Sequence, residues 1–279
     1  MQILRKIFSP ISAILLLTAS CTPELADSPE MIVVEGWIES GSAPTVFITS
    51  SVSVNYDKKK MTDLIGHVAL NANVTVTHND QTYTLLPSLK DEYLLKLCYT
   101  TDALKGEPGG TYRLQVDWKG LYAEAVTTIP QLGSIDSIAV ERHSSADTLY
   151  LVKAHVVPHP DVRYYRFFSM DVERDDTYLA SYMGTYDSRL NNDMAVVNRG
   201  NSDPIVMPDY FYHLGDSVSF KLASMDSAAY RFWSKHDENV MFSHVALLPY
   251  SSNMTGNIEG GLGYWFGYGV STYGLRIAQ

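Results

Sequence analysis

The sequence predicts a mainly all-β protein: an immunoglobulin-like β-sandwich followed by a second β-rich domain that carries one helix. Three observations lead there. Short runs of β-branched and aromatic residues alternate with polar ones, Gly, Pro and Asn-Asp pairs break these runs at close intervals, and a single stretch has helical spacing behind a capping residue.

The chain opens with an export signal over residues 1–20. Arg5 and Lys6 precede the apolar Ile14-Leu15-Leu16-Leu17, then Thr18-Ala19-Ser20 leads to Cys21. A transmembrane helix is excluded by length, because Ile7 to Leu17 is interrupted by Ser9, Pro10 and Ser12 and a span needs about 20 apolar residues. An ordinary signal peptide or a buried first strand remains as an alternative, and Thr18 stands where a lipobox usually has Leu. A cysteine directly after Ala-Ser favours a lipoprotein signal, with Cys21 as the lipidation site. Residues 21–30 hold two prolines and three acids with little to bury, and read as a tether.

Residues 31–130 read as the sandwich. Strands are expected at 32–38, at 45–49 continuing toward Val54, at 73–78 and 81–85 as a hairpin turning on Asn79-Asp80, at 111–116, and at 121–127 after Lys119-Gly120, about seven in all. Ile129-Pro130 and Gly133 mark the expected junction. Residues 131–279 form the second part, with strands at 134–140, 149–157, 163–172 and 217–222 and a long connection from Asp187 to Asp209. A helix is expected near 226–238, with Asp226 as cap and Tyr230 and Trp233 on one face. In the glycine-rich end, 257–269, the small residues permit tight backbone approach while Tyr264, Trp265, Phe266 and Tyr268 pack on both sides of a final strand.

Charge narrows the function. The chain carries a formal −10, two units more negative once Arg5 and Lys6 leave with residues 1–20, so nucleic acid is not an expected partner. With Cys21 lipidated only Cys98 remains, a small buried apolar residue in an apolar stretch, and no internal disulfide can form. Gly-x-Ser-x-Gly, His-Glu-x-x-His and paired Cys-x-x-Cys are all missing, so the chain is not expected to be an enzyme and no cofactor is expected.

Several local patterns have both a chemical and a plain reading. His155 and His159 with Asp161 could ligate a metal, but Pro158 and Pro160 suggest a strand running into a loop, and no further ligand is identifiable. Glu173, Asp175 and Asp176 could hold calcium or act on a glycosidic bond; solvated loop charge is the simpler reading. Four Asp-Ser or Asp-Thr tripeptides, at 136–138, 147–149, 216–218 and 226–228, resemble O-glycosylation signals, a pattern that recurs by chance. Nineteen tyrosines are the largest excess. Tyr178, Tyr182 and Tyr186 fall four apart, with Tyr210 and Tyr212 further on, and these five are the candidate ligand-binding residues; half-buried strand positions are the competing reading.

Cys21, Val33-Val-Glu-Gly-Trp-Ile38, Gly110-Thr-Tyr-Arg-Leu114, Ile135-Asp-Ser-Ile138, Arg163-Tyr-Tyr-Arg166 and Asn257-Ile-Glu-Gly-Gly-Leu-Gly263 together resemble the Bacteroidota lipoproteins catalogued as domain of unknown function 4249. The resemblance spans nearly the whole chain after the signal and brings no catalytic residue. It implies an outer-membrane lipoprotein, anchored by lipid on Cys21 and facing the cell exterior, that serves as a non-enzymatic accessory or binding subunit beside a TonB-dependent receptor in nutrient uptake. A structural or adhesive surface protein, or a hydrolase of surface glycans or peptides, stands as the alternative. The ligand is not legible in the residues.

Overall fold

In a computed structural model, residues 29–51, 66–93, 95–143, 148–190, 194–200, 210–243 and 254–278 are described. Cys21, the signal, nearly all of the tether and the expected extension toward Val54 lie outside them. The described residues are mostly strand, with one helix. In chain order the strands are β1 (Ile32–Glu39), β2 (Thr45–Ser50), β3 (Asn73–His78), β4 (Gln81–Leu89), β5 (Leu97–Thr100), β6 (Thr111–Trp118), β7 (Leu121–Thr128), β8 (Ser134–Arg142), β9 (Leu149–Val157), β10 (Tyr164–Asp171), β11 (Leu179–Asp187), β12 (Met194–Val196), β13 (Tyr212–His213), β14 (Ser217–Met225) and β15 (Gly261–Arg276). The helix α1 spans Ser227–Ser243 between β14 and β15.

The turns form as the sequence chemistry dictates. Asn79 and Asp80 both take positive φ, 49° and 61°, and join β3 to β4 with His78 opposite Gln81. Lys119 and Gly120, at 50° and 81°, do the same between β6 and β7. Two consecutive left-handed residues give the turn whose twist matches the flanking strands.

One eleven-stranded sheet runs in the order β11-β10-β14-β15-β1-β2-β5-β4-β3-β6-β7. Its β15-to-β7 portion folds over on itself, and β7 comes back against the start of β15 through the bridge Glu124↔Glu259. Period-two alternation then points Ile32, Val34, Val46, Ile48, Val74, Val76, Tyr112, Leu114 and Val116 into one core. Trp265 of β15 lies in this same core, fully buried, with its indole N–H donated to the Tyr112 carbonyl at 3.1 Å. Cys98 is buried in β5, its thiol pushed up by loss of solvent. The stretch around it, left unassigned by turn signals, pairs with both β2 and β4.

Past β15 the same sheet continues as β14, β10 and β11. One face of this part packs on a second sheet, in which β9 pairs with β8 on one side and with β12 and β13 on the other. Val152, Ala154, Val156, Tyr165, Phe167, Val218, Phe220 and Leu222 fill the space between.

The join between the halves is β15. Its first half runs parallel to β1, from Ile32↔Gly261 to Glu39↔Tyr268, and its second half antiparallel to β14, from Ser224↔Gly269 to Ser217↔Arg276. The strand is sixteen residues long, far beyond the local run expected at 264–268. Backbone proximity explains the glycines. Gly263 sits at φ +98°, where a Cβ would come within 1.9 Å of the Val34 carbonyl oxygen, and a Cβ on Gly36 would meet the Trp265 ring at 2.9 Å.

Helix α1 lies across the opposite face of β10, β14 and β15. Asp226 caps it, its carboxylate accepting from the Ala229 N–H at 2.8 Å. Ala229 and Phe232 on its inner face bury against Ala223, Met225, Phe266 and Tyr268. The helix extends to Ser243, past the expected 226–238.

Candidate functional site

The five candidate tyrosines do not converge. Regular alternation would place Tyr178, Tyr182 and Tyr186 on one face, but the β10–β11 ladder is interrupted: Thr185 pairs with Arg166 and Ala180 with Phe168, leaving four residues of β11 opposite the single Phe167. Met183 takes φ +52° in this bulge. Three extra residues are an odd number, so the phase flips. Tyr186 falls into the second core, 4% exposed. Tyr212 joins that core from β13, edge-on to Phe220 at 5.6 Å. Tyr182 stacks on Tyr210 at 4.3 Å. Of the five, only Tyr178 lines the aromatic cavity beside α1, so Tyr182, Tyr186, Tyr210 and Tyr212 do not share a site with it.

That cavity, of about 450 Å³, opens beside α1 and is lined by Trp37, Glu39, Glu92, Tyr93, Phe168, Thr177, Tyr178, Leu179, Ala180, Lys221, Trp233, Tyr264 and Tyr268. Its floor follows from strand register. With Ile32, Val34 and Ile38 turned into the first core, alternation turns Trp37 and Glu39 to the other face, where their neighbours on β15 are Phe266 and Tyr268. On β14, Val218, Phe220 and Leu222 face the second core, which turns Lys221 to the same side as Trp37. Helix α1 closes one end with Trp233, whose indole N–H donates to the Tyr268 hydroxyl at 2.7 Å. The short segment before β5 contributes Tyr93, edge-on to Trp37 at 5.7 Å.

One ion pair sits among these rings. Lys221 Nζ lies 2.6 Å from Glu39 Oε1, with the two side chains 11% and 16% exposed. The same ammonium stands 4.6 Å from the Phe168 ring centre and 4.8 Å from that of Tyr178. Tyr178 is fixed by a 2.7 Å hydrogen bond between its hydroxyl and that of Ser219. Burial pushes the Tyr264 and Tyr268 hydroxyls above the usual phenol range, so both remain protonated and able to donate. The Tyr93 hydroxyl is likewise raised by desolvation, opposed by a hydrogen bond with Thr177.

Behind the helical wall a second cation is locked in. Arg166 is 2% exposed, its guanidinium 4.0 Å from the Trp233 ring centre and 3.5 Å from Asp237 of α1. Desolvation lowers its pKa while Asp237 opposes the shift. Asp237 also accepts from the Thr185 hydroxyl at 3.0 Å, so one carboxylate ties the helix to both β10 and β11.

The remaining candidates have structural partners. Asp175 accepts from the Asp171 N–H at 2.8 Å, and Arg174 bridges Asp171 and Asp216, which makes the acidic stretch a braced turn at the end of β10. His155 on β9 lies 3.6 Å from Asp136, while His159 accepts from the Asp161 N–H at 3.3 Å. Among the described residues no group of three or more His, Cys, Asp or Glu is placed to hold a metal ion, and no helix is long and apolar enough to cross a membrane.

Reading by residue type missed most of the cavity. Two signals were present: Trp37 and Glu39 alternate out of phase with a wholly apolar set, and Lys221 interrupts an apolar strand between Phe220 and Leu222. What could not be read is that these lie on neighbouring strands from opposite ends of the chain.

No curated protein matches the chain. A family model does, over residues 18–274, nearly the full length, and the chain therefore belongs to the family described as domain of unknown function DUF4249.

Proposed function

We propose that the protein is a lipid-anchored, non-enzymatic binding subunit of a nutrient uptake system, held at the outer membrane by Cys21, exposed to the exterior, and acting beside a TonB-dependent receptor. The observation that carries the binding role is the cavity: seven aromatic side chains around a single desolvated ion pair, the composition of a ligand pocket rather than of a filled core. The way Lys221 and Glu39 neutralise each other fits a binding role, since the pair offers the cavity hydrogen-bonding groups without a net charge. Anchoring and location rest on the Arg5-to-Cys21 signal and the acidic tether.

The experiment is metabolic labelling with a palmitate analogue in the native host, membrane fractionation and affinity co-purification. Label on the wild type but not on Cys21→Ala, recovery in the outer membrane, and a stoichiometric outer-membrane receptor in the eluate are expected. An unlabelled wild type sinks the anchor, and a receptor-free eluate sinks the uptake role.

A further inference from the structure

We infer that the cavity beside α1 recognises a short neutral saccharide, with aromatic rings taking the C–H faces of the sugar and the Lys221–Glu39 pair taking adjacent hydroxyls. This deepens the binding reading above and rests on it. Charge and hydrogen-bonding capacity exclude the other broad ligand classes in turn. A cationic ligand would compete with Lys221, which already occupies the π faces of Phe168 and Tyr178 and the carboxylate of Glu39. An anionic ligand would meet Glu39 and Glu92 on the same lining, with the one lysine there already neutralised. A wholly apolar ligand would cap a largely desolvated ion pair and remove its remaining water, a cost only further hydrogen bonds can offset.

A neutral polyol meets each condition. An ammonium has three hydrogens and spends one on Glu39, and a carboxylate accepts more than one donor, so the pair can give to one hydroxyl and accept from its neighbour in charge-assisted bonds. The protonated Tyr264 and Tyr268, both on the cavity lining, add hydroxyl groups within the aromatic wall. Trp37, Tyr93 and Trp233 are half-buried, presenting ring surface to the cavity, and a pyranose carries an apolar C–H face that such rings cover. At about 450 Å³ the space lies in the lower part of the range typical of small-molecule pockets, about 300–1,000 Å³.

The test uses the exported chain and a defined panel: neutral gluco-, manno-, galacto- and xylo-oligosaccharides, against cationic, acidic and aromatic peptides of matched size. Calorimetry gives affinity, and tryptophan fluorescence reports location, because Trp37 and Trp233 line the cavity while Trp118 and Trp265 lie in the first core. Saturable binding of at least one neutral oligosaccharide is expected, weakened about tenfold or more by Lys221→Met and about threefold to tenfold by Trp37→Ala. Tyr93→Ala, in a segment outside the strand ladders, gives the same direction of change without altering any strand pairing, and Tyr122→Ala on exposed β7 leaves binding unchanged. Peptide binding that Trp37→Ala abolishes, without saccharide binding, overturns the saccharide proposal and leaves the binding role standing. A panel in which nothing binds overturns both.

Discussion

Removing both members of the Lys221–Glu39 pair should destabilise the protein by much less than the sum of the two single removals. At 2.6 Å and an effective dielectric of about 20, the two charges attract by roughly 6 kcal/mol. Taking them from water offsets most of this, because the side chains are only 11% and 16% exposed. Lys221→Met leaves Glu39 as a desolvated, unpaired carboxylate beneath Tyr268 and also deletes the contacts to Phe168 and Tyr178. A fully buried orphan costs about 3–5 kcal/mol; the open mouth of the cavity lets water reach the survivor, so about 2–3 kcal/mol is expected here. Glu39→Gln should cost about 2 kcal/mol for the complementary reason. The double variant leaves no orphan charge and should lie about 2 kcal/mol above the sum of the singles. Urea unfolding at neutral pH of the wild type, both singles and the double closes the cycle, with the slope checked for constancy. A coupling energy below about 0.5 kcal/mol would refute the assignment, because the pair would then behave as an exposed surface contact.

Two further predictions test the frame that holds the cavity. Gly263→Ala should abolish soluble expression or cost more than about 3 kcal/mol in urea, since its Cβ would lie 1.9 Å from the Val34 carbonyl and the positive φ adds strain; a variant of wild-type stability would show that β1 and β15 are not joined there. Asp187, bonded by Arg163 Nη2 at 2.6 Å, has its carboxyl held below the usual range chiefly by that bond. Its stabilisation is complete above about pH 4, the unfolded value, and is lost as pH falls through the lower folded value. Asp187→Asn should therefore flatten the acid limb of the stability profile, and an unchanged limb would remove the pair from the account.

Much of the local structure was legible because its causes are local. Alternation gave β1, β3, β6 and β14, the Asn79-Asp80 and Lys119-Gly120 pairs gave their hairpins, and Asp226 gave the start of α1. The site was not legible by the same means. Tyr178, Tyr182 and Tyr186 have the spacing of a shared face, and an odd insertion opposite Phe167 breaks it, a feature with no signature in residue type.

The sequence alone determined the mainly β character and the one helix of the described residues, since propensity and period act over a few residues. Only the tertiary structure decided that the last strand pairs in parallel with the first. The energy that selects this partnership lies in eight residue pairs of backbone ladder and the burial of Trp265 in a core built by the other end of the chain. Because Glu39 and Lys221 stand 182 positions apart, the cavity that they share exists only once that closure is made.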